Sequence, residues 1–182
     1  MNPLAWLEAD MARHMLVEFP LLVGAGVVLA RFAPRRIDAT IERFDTYGLT
    51  GWLAASLVLA FWMIPAALDA AVASAGLNAV KIASLVAAGF LLHGAMRRSP
   101  RTLEAFFVGN FTWMAATVGL VYQEADSRLC LAYLVDAQQR AGSGLVVLAV
   151  AVLVAWFAAR GYVFARTPKL RAGSASDTRA SP

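Results

Sequence analysis

The chain is poor in charge and nearly devoid of cysteine. Of its 182 residues, 15% are Asp, Glu, Lys or Arg and 60% are hydrophobic. Soluble domains are roughly half apolar and about a quarter charged, so an ordinary water-soluble globule is excluded. The single cysteine, Cys130, excludes an internal disulfide framework and any CxxC metal or redox motif. No phosphate-binding glycine loop, nucleophile–base motif or HExxH spacing occurs, and the chain reads as non-enzymatic. It also lacks a convincing internal repeat of the kind many transporters show. The first apolar stretch has neither a basic segment ahead of it nor a small-residue cleavage site, so it is expected to remain as a span.

What is present is hydrocarbon. Five apolar stretches, at 11–32, 50–73, 77–96, 104–123 and 142–165, are long enough or nearly so to cross about 30 Å of bilayer as helix. The expected fold is all-α: a polytopic membrane bundle of about five transmembrane helices. Residues 1–10 form an external segment, 11–165 one transmembrane domain, and 166–182 a polar, unstructured tail.

The net charge of +4 comes from basic residues placed very unevenly. With five alternating spans, all but Arg13, Lys81, Arg128 and Arg140 of the sixteen Lys and Arg fall on one side. The Lys/Arg-rich side of a membrane protein is cytoplasmic. The amino terminus is therefore expected outside and the carboxyl terminus in the cytoplasm, in a bacterial inner membrane. The positive charge is a topology signal and implies no nucleic acid partner; the surrounding partner is membrane lipid. In the connector 33–48, Ile37, Ile41 and Phe44 recur at helical spacing among charges. That pattern suits a short amphipathic helix on the inner surface, or equally a solvated connector.

The unusual side chains gather toward the outer side. Met11, His14, Met15 and Glu18 fall at i, i+3, i+4 and i+7 and share one helix face. Ionisable groups at the mouth of a span are costly unless they face protein or water. Met63, Asp69, Lys81, Cys130, Asp136 and Gln138 lie toward the same side. Thioether, imidazole and thiolate suit Cu(I), which makes His14, Met11, Met15, Met63 and Cys130 the candidate ligands. Methionine is equally a packing residue of apolar helices. Glu18 and Asp69 are placed to attract a cation or to orient His14 by hydrogen bonding. The short turn at 74–78 makes Lys81 the expected ion-pair partner of Asp69. Asn110, within the fourth span, is expected to hydrogen-bond across to a neighbouring helix.

Three stretches carry a family resemblance. Met11-Ala-Arg-His14-Met15-Leu16, followed by Pro20-Leu21-Leu22, resembles the M-x-x-H-M-L start of a helix in CtaG-type cytochrome c oxidase assembly factors. Trp62-Met63-Ile64-Pro65 with Asp69 downstream resembles that family's W-H-x-P…D-x-A helix. Gln138-Gln139-Arg140-Ala141-Gly142 is similar to its D-Q-x-x-A-G motif. The order matches over roughly residues 11–160. Met63 stands where the family has histidine, and Asp136 is displaced by one position, with Ala137 in its place. The resemblance implies assembly of a haem–copper oxidase, with oxidase subunits or a periplasmic copper chaperone as partners. The residues alone leave two alternatives: a metal-free structural membrane subunit, or a small transporter.

Overall fold

The structure is a computed structural model that describes residues 10–125, 129 and 134–177, with side chains of the last helix described as far as Arg160. Among the described residues every regular element is helical: α1 (Met11–Arg31), α2 (Arg35–Phe44), α3 (Leu49–Trp62), α4 (Pro65–Ala73), α5 (Ala75–Arg98), α6 (Arg101–Glu124) and α7 (Val135–Asp177). Four of them, α1, α5, α6 and the Val135–Arg160 portion of α7, are long and apolar enough to cross a membrane. The pair α2 and α3, bent by 90°, makes a fifth span if taken together. The chain is a multi-pass membrane protein.

The second expected span, 50–73, is not one helix but two. Pro65 has no N–H to donate back, and its ring disfavours helical backbone in the residue before it. Ile64 is accordingly extended, with φ −73° and ψ 125°, and α4 restarts with Pro65 in its first turn. The connector becomes helix α2, the amphipathic alternative. After it Gly48, at φ 74°, turns the chain into α3. The last helix also exceeds its expected bounds. It begins at Val135 rather than 142 and runs on to Asp177, where an unstructured tail was expected.

Packing divides the molecule into two halves. In the first, α5 packs against both α1 and α3; in the second, α6 and α7 lie side by side. Glycines permit the closest approaches. A Cβ on Gly26 would strike the Val86 carbonyl, and one on Gly89 would strike the Val23 carbonyl, so α1 and α5 touch backbone to backbone. Gly119 and Gly142 do the same for α6 and α7, where a Cβ on either would meet the other's carbonyl oxygen at 2.5–2.6 Å.

The halves meet at the two ends of the bundle. At one end the start of α1 packs on α7, with Asp10 paired to Arg140 at 3.8 Å. At the other, Trp52 of α3 stacks on Phe107 of α6 with centroids 5.6 Å apart. Here Asp45 caps α3 by accepting from the Thr50 and Gly51 amides. Arg98 donates to the Asp45 carbonyl, and Arg160 pairs with Glu104. Between the ends lie two adjoining apolar cavities of about 270 and 160 Å³, both lined by Val23, Leu59, Phe111 and Val152.

Candidate functional site

The end of the bundle that carries the start of α1 holds a cluster of buried charge. Asp10 caps the helix, its Oδ1 accepting from the amides of Ala12 at 2.9 Å and Arg13 at 3.4 Å. The next turn, His14–Glu18, is π-helical. Pro20, two residues beyond it, cannot donate to Leu16 and its ring would crowd that carbonyl. Widening the preceding turn relieves the conflict without ending the helix. The wider turn also brings residues four apart closer to one line along the axis, so His14 and Glu18 point inward together.

The partner for both comes from α5. The Lys81 ammonium lies 2.7 Å from Glu18 Oε1 and donates to His14 Nε2 at 3.0 Å. An ammonium only donates, so Nε2 is the acceptor and the ring proton belongs on Nδ1. Nδ1 lies 3.7 Å from Glu18 Oε2. His14 and Lys81 have no exposed surface and Glu18 has 1%. The register of the two helices explains the meeting. Gly26 and Gly89, where the backbones touch, lie the same number of residues beyond Glu18 and Lys81 respectively. Parallel helices in contact at the glycines therefore align the charged pair about 12 Å further up.

Neighbouring groups tie the cluster to the other helices. Ser84 donates to the Lys81 carbonyl at 2.9 Å and accepts from Trp62 Nε1 at 2.9 Å. The Tyr122 hydroxyl donates to the Met63 carbonyl at 3.1 Å, beside the Pro65 break. Gln138, 1% exposed, accepts from the Leu129 amide at 2.9 Å and donates to the Tyr122 carbonyl at 3.3 Å. Phe19 meets the His14 ring edge-on at 5.7 Å.

The structure thus unites most of the residues the sequence singled out. Met11, Met15 and Met63 are buried in one core cluster with Phe19, Trp62 and Tyr122. Lys81 takes Glu18 and His14 of α1 as partners, a meeting that the short turn between Asp69 and Lys81 had not suggested. Asp69 is half-buried on α4, and Asp136 is exposed in the first turn of α7. Cys130 lies outside the described residues. The expectation for Asn110 fails: its side chain is exposed on the outward face of α6 beside Trp113, and among the described residues no cross-helix hydrogen bond to it occurs. The inward face of α6 belongs to Phe107, Val108, Ala115, Gly119 and Tyr122, a choice that the evenly apolar sequence does not reveal. Sequence reasoning missed Tyr122, Ser84 and Trp62 as polar partners. A proline inside a span was the available signal, because the carbonyls it frees need donors.

Chemically, the cluster is a neutralised charge pair with an imidazole attached. A resident copper ion does not fit this arrangement, because the ring nitrogen of His14 that would bind it already accepts from an ammonium. Among the described residues, no group of three or more His, Cys, Asp or Glu is placed to hold a metal ion. The chain matches no family model, no curated protein and no solved structure.

Proposed function

We propose that this chain is a non-catalytic assembly factor for a haem–copper cytochrome c oxidase in a bacterial inner membrane, acting as a helical platform rather than as a copper carrier. One observation supports the reading most. The three stretches that resemble the CtaG-type family, far apart in sequence, converge at one end of the bundle. His14 and Met15 of the first, Met63 of the second and Gln138 of the third are joined through Lys81, Trp62 and Tyr122. The Lys/Arg bias supports a periplasmic position for this end. The implied partners are the oxidase subunits and a periplasmic copper chaperone that brings the metal.

The test is the oxidase content of cells lacking the protein, grown at limiting copper. Loss of assembled oxidase, read from its haem spectrum and its bound copper, is the expected result. Unchanged oxidase would remove the proposal. It would leave the second reading, a structural membrane subunit, which the mutual pairing of Glu18, Lys81 and His14 favours on its own.

A further inference from the structure

We propose that the outward side of α6 is a pairing surface for a second copy of this chain, with Asn110 as its hydrogen-bonding centre. Phe106, Asn110, Trp113, Thr117 and Leu120 are all exposed, and they recur at steps of four, three, four and three. That spacing draws one seam along a helix, the seam by which two helices of a coiled coil pack. Its middle is polar. Trp113 is 75% exposed and stands midway between Arg101 and Glu124, far from the membrane interfaces where tryptophan is enriched. Asn110 lies one turn before it, about 14 Å along the helix from Arg101. Among the described residues, neither the Asn110 amide nor the Trp113 indole N–H has a hydrogen-bond partner. Hydrocarbon offers none, and polar side chains inside a bilayer serve as glue between helices.

The chemistry of the seam selects a copy of itself. Copies inserted in one orientation are related by a twofold axis along the membrane normal. Each α6 residue near that axis then faces its own counterpart at the same depth. A charged side chain there would repel its counterpart. An amide carries both donors and an acceptor, so two Asn110 side chains satisfy each other. A single asparagine in such a seam also fixes register and the number of strands. The shape is self-complementary too. A Cβ on Gly109 would meet nothing within 4 Å, which leaves a notch one turn before Trp113. Helical side chains lean over the turn N-terminal to them. The Trp113 ring of one copy is thereby set at the level of the other's Gly109.

Energy transfer between donor- and acceptor-labelled full-length chains in liposomes tests this, with labels on Thr46→Cys in a Cys130→Ser background. Wild type is expected to show transfer that falls with lipid dilution along a monomer–dimer curve. Asn110→Leu is expected to keep its helical signal and to weaken pairing about tenfold. Asn110→Gln, which keeps the amide, is expected to retain most of the affinity. Transfer that is absent in wild type at the highest protein-to-lipid ratio, or undiminished in a folded Asn110→Leu, overturns the proposal.

Oxidative cross-linking locates the contact without any change at Asn110, and so decides even if the leucine variant fails to fold. In native membranes a lone cysteine at Thr117 is expected to join two copies. One at Val154, 60% exposed on α7, is expected to join none. Joining through Val154 alone, or a Thr117 cysteine that captures only a different protein, overturns the proposal.

Discussion

Replacing Glu18 by glutamine removes the carboxylate charge that lies 2.7 Å from the buried Lys81 ammonium. Breaking one side of a buried pair costs about 3–5 kcal/mol. Glu18→Gln is therefore expected to lose its helical signal at markedly lower denaturant than wild type in an SDS titration. The double variant Glu18→Leu, Lys81→Met is expected to recover much of that loss, since an apolar pair avoids the desolvation cost altogether. A double variant no more stable than either single change would contradict the ion pair as described. At this scale the sequence was half legible. The spacing of Met11, His14, Met15 and Glu18 placed them on one face, and that face is buried. It did not reveal the partner of Glu18. Lys81 is remote in the chain, and its approach depends on the Gly26–Gly89 contact and on a π turn. Neither leaves a residue pattern stronger than two glycines and a proline. Asn110 was misassigned for a related reason: a span apolar all round does not announce which side faces its neighbours.

The elements test the same account through their contacts. Tyr122→Phe removes the hydroxyl that satisfies the Met63 carbonyl beside the α3–α4 break. An unsatisfied buried carbonyl costs about 1–3 kcal/mol, and the same titration is expected to register a loss of that size. No change would mean that another donor reaches the break. Gly89→Leu forces a side chain against the Val23 backbone. It is expected to push α1 from α5, separating Glu18 from Lys81 as well, and so to destabilise more than a comparable change at Gly24, where a Cβ meets nothing. A variant at Gly89 as stable as one at Gly24 would remove the close contact from the account. The helical spans themselves were readable, because hydrocarbon length is a property of sequence alone. The division at Pro65 was less so. Prolines sit in spans with or without breaking them, as Pro20 and Pro65 do here, and the outcome depends on what can bond the freed backbone.

For the whole molecule, orientation is the property the sequence states most directly and the bundle leaves open. A cysteine introduced at the exposed position Thr102, in a Cys130→Ser background, is expected to react with a membrane-impermeant maleimide only after the cells are opened. Labelling in intact cells would reverse the proposed orientation and move the His14 cluster to the cytoplasmic side. The two ends of the bundle are otherwise distinct, one tied by Asp45–Arg98 and Glu104–Arg160, the other by Glu18–Lys81. That last pair also bears on biosynthesis. The ribosome delivers Glu18 long before Lys81, so the nascent first helix reaches the translocon before the lysine that faces its carboxylate exists. A nascent chain halted ahead of Lys81 should consequently integrate poorly, and extension past the third span should rescue it, with protease protection as the gauge.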